Sequence, residues 1–498
     1  MTALKSILKT LLAGVFLLAL VLVGALVFVP GIHISSLGMV LNVMSGAGSD
    51  TPDEVLLDRL QLAPGYHLSV FARGLENPRI LHHSLSGRLL VTSPRAGQVI
   101  QLTDSNGDGA ADTREVLLSG LQRPQGIEQH GAYLYIGESH QIGRTAYDTQ
   151  SGQLTGDYEV IVPDLTDDGN HWSKIIRFDA EGNLYVAMGS TCNVCEEADP
   201  RRATIMRYNS DGSGEFIFAS GLRNSVGLAF APWNGALYAT DNGRDLLGDN
   251  YPPCELNKVV KGGFYGWPYI NGANELDPDF GEGKEALQDT AIAPAFDFRA
   301  HNAPLGIYFP GDESRSALVA LHGSWNRSSP DGYRVVRLHW DEEENITTED
   351  FLWGFEDDGD IVGRPVDITG DGEGGFFISD DYAGVVYRVS QRDNLRSAQA
   401  EQGLNIQEAP HADLVPADQE LAAAGAEVYA SLPCGDCHSQ QALTPVNLES
   451  LQQHYTLHSL AEYFLAPTPP MPLFDLSEQQ RRQLAHYLFS REQSLAEK

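Results

Sequence analysis

Basic residues are scarce: 33 Lys+Arg stand against 67 Asp+Glu in 498 residues, a formal net charge of −34. A chain this acidic repels phosphate backbones, which excludes a backbone-reading nucleic-acid binder and leaves nucleic acid off its expected partners. Cysteine is rarer still. Five are too few for a disulfide scaffold, so stability must come from buried apolar surface. The composition permits that, because 42% hydrophobic with 20% charged is an ordinary globular mix and not a disordered acidic one. Long amphipathic runs are missing before residue 415, which argues against a helix bundle. The 50 Gly and 19 Tyr suit many short strands joined by turns, and the length calls for more than one domain.

One long apolar run is present, from Leu11 to Val29, close to the ~20 residues a membrane-spanning helix needs. Val29-Pro30-Gly31 supplies no clear small-x-small cleavage site, so residues 1–50 are expected to form an uncleaved single-pass anchor and linker, with a removed signal peptide as the alternative. Lys5 and Lys9 hold the near end in the cytoplasm. The rest of the chain then faces the outer side of the inner membrane, which in a bacterium is the periplasm.

Between residues 60 and 392 a glycine turn followed by a short apolar or aromatic strand recurs. The copies are Ser86-Gly87-Arg88-Leu89-Leu90-Val91, Gly131-Ala132-Tyr133-Leu134-Tyr135-Ile136, Gly182-Asn183-Leu184-Tyr185-Val186, Gly235-Ala236-Leu237-Tyr238-Ala239, Ala317-Leu318-Val319-Ala320 and Gly374-Gly375-Phe376-Phe377-Ile378. Their spacing is near the ~40–50 residues of a four-stranded propeller blade, apart from a longer gap between Tyr238 and Leu318 that must hold an insertion. Six copies predict a mainly β chain whose residues 51–392 form a six-bladed β-propeller, closed so that no long edge is exposed. A β-sandwich accommodates six equivalent units poorly.

Upstream of these copies stands a second recurring element with Pro or a short polar run. It reads Glu76-Asn77-Pro78-Arg79-Ile80, Gln122-Arg123-Pro124-Gln125-Gly126-Ile127, a looser His171-Trp172-Ser173-Lys174-Ile175, Arg223-Asn224-Ser225-Val226-Gly227-Leu228, His301-Asn302-Ala303-Pro304-Leu305-Gly306-Ile307 and Arg364-Pro365-Val366-Asp367-Ile368. In equivalent positions these segments gather Arg79, Arg123, His171, Lys174, Arg223, His301 and Arg364 around one mouth of the central channel. A cationic funnel in an anionic body implies a small, multiply charged anion held by charge-assisted hydrogen bonds. The alternative is that each arginine pairs with a nearby Asp or Glu.

Gly221-Leu222-Arg223-Asn224, Gly227-Leu228-Ala229-Phe230, Asp241-Asn242-Gly243-Arg244-Asp245, Glu255-Leu256-Asn257 and Gly262-Gly263-Phe264-Tyr265-Gly266-Trp267-Pro268 together resemble the pyrroloquinoline quinone (PQQ)-dependent sugar dehydrogenases across the whole propeller. His322-Gly323-Ser324-Trp325-Asn326-Arg327 and Ser379-Asp380-Asp381-Tyr382-Ala383-Gly384 are more similar to the sorbosone and pyranose dehydrogenase branch than to soluble glucose dehydrogenase. The resemblance implies PQQ, an o-quinone tricarboxylate suited to the cationic funnel, together with Ca²⁺. It implies His171 as the general base toward the sugar hydroxyl, Arg223 as the group that polarises the quinone carbonyl and Asn224 as a further cofactor contact. It also implies Arg364 as a carboxylate-binding arginine, and the backbone carbonyls of Gly243 and Arg244 as ligands of a Lewis-acidic Ca²⁺. The family's cofactor lysine has no matching position, and Arg327 or His322 is expected to replace it.

A second calcium loop is expected at residues 104–115. Asp104, Asn106, Asp108, Asp112 and Glu115 offer side-chain oxygens, Ala110 a carbonyl, and Gly109 the required turn. Its flanks read as strands, which makes it a structural staple in a hairpin; a solvated acidic turn is the alternative. Cys192-Asn193-Val194-Cys195 lacks the following His of a haem site and is expected to close a small disulfide loop in an oxidising compartment. Cys254 reads as a lone buried thiol.

Residues 393–417 read as a polar linker, and residues 418–498 as a small all-α domain. Cys434-Gly435-Asp436-Cys437-His438 is a c-type haem attachment motif, in which Cys434 and Cys437 form thioethers and His438 meets the iron. Pro469-Pro470-Met471-Pro472 offers Met471 as the distal ligand, and a helix from Ser477 to Phe489 closes the fold, so the segment resembles a class I cytochrome c. Together the domains predict a membrane-anchored periplasmic quinoprotein dehydrogenase. It would oxidise a sugar or sugar aldehyde and pass electrons through one covalent haem c to a respiratory acceptor. A Ca²⁺-dependent propeller lactonase, or a non-catalytic electron-transfer or sugar-binding propeller, are the competing readings.

Overall fold

Short apolar strands led by turn glycines fold into successive antiparallel meanders. The computed structural model describes residue 48, residues 51–84, 86–311 and 314–391, and, toward the C-terminus, 419–432, 434, 438, 457–464, 474 and 476–496. The chain divides after Gln399 into two compact units. The expected Leu11–Val29 span and the 393–417 linker lie outside the described residues; among the described residues no helix is long and apolar enough to cross a membrane.

The first unit contains six consecutive sheets of four or five strands. Their first strands are Leu81–His83, Gly126–His130, Lys174–Phe178, Ser225–Phe230, Pro304–Tyr308 and Pro365–Gly370. Each of these touches the first strand of the next sheet, and the sixth returns to the first, which closes a six-bladed propeller around a central axis. The fourth strand of the sixth blade comes from the other end of the unit: Tyr66–Arg73 pairs antiparallel with Val385–Gln391, tying the two ends together.

The repeated glycine-led segments are the second strands of the blades. Leu89–Ser93, Leu237–Asp241, Ser316–Leu321 and Phe376–Asp380 are buried along their whole length, since each blade packs between two others, and this explains their near-continuous apolar sequence. Ahead of five of them stand Gly87, Gly131, Gly182, Gly235 and Gly374, all at φ between +58° and +88°, where a Cβ is disfavoured.

The expected insertion lies between Val259 and Phe296 of the fourth blade. It carries Gly263–Phe264, which pairs parallel with Ala219–Ser220 of the third blade, a small hairpin of Ile270–Asn271 with Glu275–Leu276, and the short helix Glu285–Gln288.

The second unit comprises helices Gln419–Ser431, Leu457–Tyr463 and Glu478–Ala496. The first and last cross closely at Gly425, where a Cβ would lie 2.0 Å from the Gln483 carbonyl. Ser477 caps the last helix through a reciprocal pair with Gln480. Leu460, Phe464, Leu476, Leu484, Leu488 and Phe489 form its core.

Candidate functional site

All the polar approach segments precede first strands, so they meet at the end of the axis where those strands begin. A carboxylate at the end of a second strand holds several of them. Asp241 accepts the N–H groups of Arg223 at 2.8 Å and Asn224 at 2.6 Å, and Asp380 accepts that of Arg364 at 2.9 Å. These bonds fix where the arginine side chains start.

His171 sits in the approach to the third blade, half-buried. Its Nδ1 lies 2.8 Å from Ser190 Oγ and 3.1 Å from the Ser190 carbonyl. The Ser190 hydroxyl donates its own hydrogen to the Cys192 carbonyl at 2.7 Å, so both partners of Nδ1 act as acceptors. Nδ1 therefore carries the proton and Nε2 the lone pair. Burial, reinforced by the Arg223 charge, pushes the imidazole down to about 3 and keeps it neutral. Buried Arg202 fixes the backbone by donating to the carbonyls of His171 and Ser190, each at 3.0 Å. Gly189 is needed here, since a Cβ would come 2.6 Å from His171 Cβ and 2.9 Å from Asn224 Oδ1.

Arg223 is buried, and its guanidinium is oriented mainly by neutral groups. Nε and Nη2 donate to the Asn193 carbonyl and Oδ1 at 2.9 and 2.8 Å, and Nη1 donates to the Asn242 carbonyl at 3.0 Å. Asp245 lies 3.5 Å from Nη2 and also 3.3 Å from His301 Nδ1. The turn bearing Gly243 and Arg244 is pinned by the Arg244 side chain, bidentate to buried Asp277 at 2.7 and 2.8 Å.

The expected funnel of bare positive charge needs correction. Arg79 pairs with Asp381 at 2.7 Å, and Arg123 pairs with Asp167 at 2.6 Å while lying over the Trp172 ring. Lys174 is wholly buried and donates to the carbonyls of Ser139, Thr166 and Trp172; burial pushes its ammonium down to about 7. His301 Nε2 is bonded to the Gly248 carbonyl. Inward-facing cations without partners cost several kcal/mol each, on the order of a buried-ion penalty, so local pairing wins at these positions. Arg364 is the exception. Its guanidinium donates to the carbonyls of His322 at 3.2 Å and Gly323 at 3.3 Å, and among the described residues no carboxylate pairs with that guanidinium within 4.0 Å.

Two expected stand-ins for the family lysine are also corrected. His322 Nε2 donates to Asp381 at 2.9 Å, and burial together with Arg364 pushes its imidazole down to about 4, so it is no cation at neutral pH. Arg327 is buried and turned toward the backbone carbonyls of Ala300 and Asp249.

In the 104–115 loop, Asp104 accepts the N–H groups of Gly107 and Gly109, Asp108 that of Ala110, and Asp112 those of Ser105 and Asn106. Glu115 is not part of this cluster. It falls in the strand Thr113–Leu118, and its carboxylate lies 3.5 Å from Gln153 Nε2. Among the described residues, only Cys192, Cys195 and Glu197 form a group of three such side chains with ligand atoms within 4.8 Å.

Cys192 and Cys195 are bridged, and Cys254 is buried and free, its thiol pushed up to about 11 by burial. Its sulfur faces the N–H groups of Gly243, His301 and Ala303 beneath the site. Cys434 is free and half-buried, and the His438 N–H donates to its carbonyl at 3.0 Å, placing the two residues one helical turn apart. Cys437 and Met471 lie outside the described residues. The sequence left Ser190, Asn193, Arg202 and Asp245 unassigned. Two signals marked any of them: Asn193 stands between two cysteines, and Asp245 ends the Asp241-Asn242-Gly243-Arg244-Asp245 motif.

A family model described as TrAA12-like matches residues 60–257 and 282–392, more than half the chain, and skips the part of the fourth blade that holds the small hairpin. A pyrroloquinoline quinone-dependent sugar dehydrogenase of Hypocrea jecorina is 25% identical over 410 residues, 69% of this chain and 94% of that protein. An uncharacterized protein of Borreliella burgdorferi is 38% identical over 232 residues, 44% of this chain; the match spans 60% of that relative's length. The iodide structure of a Trichoderma reesei enzyme of carbohydrate-active family AA12 shares the fold, with TM-score 0.61 and 22% identity over 67% of this chain and 97% of the other. Blade number, closure and the matched span agree: the chain belongs to the TrAA12-like family, with a propeller of the PQQ-dependent sugar dehydrogenase kind.

Proposed function

We propose that this protein is a quinoprotein dehydrogenase that oxidises a sugar or sugar aldehyde at the propeller mouth and sends the electrons through a covalent haem c to a respiratory acceptor. The observation that carries the reading is the fixed tautomer of His171 beside the Arg223 guanidinium, a neutral base and a buried cation at one mouth.

The residues present suit an anionic quinone and a hard cation. Among the described residues the Arg364 guanidinium is bonded to backbone carbonyls alone, and Asn242 Oδ1, in the residue that precedes Gly243 and Arg244, is buried with no hydrogen-bond partner. Arg223, Asn224 and Arg364 would hold PQQ, and the carbonyls of Gly243 and Arg244 would hold Ca²⁺. Cys434, Cys437, His438 and Met471 would hold the haem. When bound, PQQ supplies a two-electron acceptor, Ca²⁺ a Lewis acid, and haem a one-electron relay.

His171 Nε2 takes the proton of the substrate hydroxyl, while its Nδ1–H stays on Ser190 and holds the ring plane. Arg223 places fixed positive charge where negative charge develops, and its shorter bonds, to the Asn193 and Asn242 carbonyls and Asn193 Oδ1, are to neutral groups, with Asp245 farther off at 3.5 Å. Trp325, 43% exposed on the segment that also carries the Arg364-bound carbonyls, gives the rim a flat apolar face for a pyranose ring. The Leu11–Val29 run and the Cys192–Cys195 bridge support an anchored protein working in the periplasm, where disulfides persist.

The test is anaerobic addition of a panel of aldoses and sugar aldehydes to protein loaded with PQQ and Ca²⁺, with haem absorbance followed. Reduction that depends on both sugar and PQQ is expected. Sugar lactone hydrolysis without reduction would instead identify a lactonase, and no response to any sugar would leave a binding propeller.

A further inference from the structure

We propose that Asn193, held between Cys192 and Cys195, is a positioning residue that aligns Arg223 with the 242–245 turn, and that the disulfide keeps it in place. The inference deepens the functional reading above and rests on it.

A single carboxamide joins two remote segments. The Asn193 carbonyl and Oδ1 accept Arg223 Nε and Nη2 at 2.9 and 2.8 Å, a two-pronged grip that fixes the guanidinium plane. The same Oδ1 accepts the Asp245 N–H at 2.8 Å, and Nδ2 donates to the Asp245 carbonyl at 3.0 Å. Asn193 therefore sets the distance between the buried cation and the turn that carries Gly243 and Arg244, the proposed Ca²⁺ ligands. Its neutrality is a functional asset, because a carboxylate in this place would cancel the charge that Arg223 needs.

The loop also reaches the base. Ser190 can accept the His171 Nδ1–H because its hydroxyl is spent on the Cys192 carbonyl. Residues 191–195 are only half-buried, so little apolar packing holds them. A covalent closure substitutes for that packing. A loop this short removes little entropy from the unfolded chain, so its effect on global stability is small beside its local one.

The full-length protein is compared in four forms: oxidised, reduced by a dithiol that delivers two electrons and two protons to the bridge, Cys192→Ser/Cys195→Ser, and Asn193→Ala. Hydrogen–deuterium exchange is measured on the cofactor-free forms, and PQQ affinity in Ca²⁺ on each. Exchange at 223–225 and 242–245 should quicken in the last three forms while the first and fifth blades are unchanged, and PQQ affinity should fall by about tenfold, the scale of one lost charge-assisted grip. Asn193→Asp, which retains the acceptor for both Arg223 and the Asp245 N–H, should restore protection at 223–225 and 242–245 relative to Asn193→Ala, while its carboxylate, by cancelling the Arg223 charge, should leave PQQ affinity low.

Unchanged exchange at both segments overturns the proposal, as does a uniform rise across the propeller, which would make the loop merely structural. Oxidised wild-type protein that takes up no PQQ overturns the functional reading alone, and the exchange arm still decides the role of Asn193.

Discussion

Replacing His171 by alanine is expected to lower kcat by about 10³-fold, the scale of a lost general base, with KM for the sugar much less affected. Among the described residues the ring hydrogen-bonds through Nδ1, to Ser190, which leaves Nε2 as the atom that receives a proton. Burial and the Arg223 charge hold the imidazole down to about 3, below its ordinary 6.5. The base is therefore ready throughout the neutral range, and the wild-type kcat/KM profile should show no loss near pH 6.5 from this group. Arg223→Gln removes the charge that depresses it and leaves Asp245, so the acid limb should move to higher pH. The same shift fixes a stability slope. Between about 3 and 6.5 the unfolded chain holds the proton and the folded chain does not, so stability falls as pH falls through that window. His171→Ala should flatten that slope. Turnover within about tenfold of wild type in this variant would remove His171 from the chemistry.

Serine at Cys434 and Cys437 is expected to abolish covalent haem while leaving PQQ-dependent turnover with an artificial electron acceptor intact. The geometry that supports this is local: Cys434 is free, half-buried, and one hydrogen-bonded turn from His438. Thioether formation needs both thiols, and iron ligation needs the adjacent imidazole. Haem staining after denaturing electrophoresis reads the result. Staining retained in the double variant, or absent from wild-type protein matured with its haem, would contradict the assignment.

The propeller was legible because its physics repeats. Each second strand lies between two blades and must be apolar on both faces, and each tight turn before it favours glycine, so Gly131-Ala132-Tyr133-Leu134-Tyr135-Ile136 and Gly235-Ala236-Leu237-Tyr238-Ala239 announce the same environment. The approach segments were legible for the same reason, and they placed His171, Arg223 and Arg364 at one mouth.

Charge at that mouth was not legible. Whether Arg79 faces a ligand or a carboxylate depends on Asp381, 302 residues away in sequence, and no local pattern encodes that meeting. Glu115 failed for a different reason: the spacing of a helical calcium loop presumes a turn that continues, whereas Thr113 begins a strand whose alternation carries the carboxylate toward Gln153. The role of Asn193 is not legible either, because its partners Arg223 and Asp245 lie 30 and 52 residues away in sequence. The closure of the ring by Tyr66–Arg73 against Val385–Gln391 likewise joins distant segments whose sequences say only that each is a strand.

The most direct measurement is calorimetric titration of PQQ into cofactor-free protein in the presence of Ca²⁺, alongside Arg364→Ala. The account predicts one saturable site in the wild type and an affinity at least about tenfold weaker in the variant, as expected for a lost guanidinium–carboxylate contact. No heat of binding in the wild type, or equal affinity in the two proteins, would contradict it.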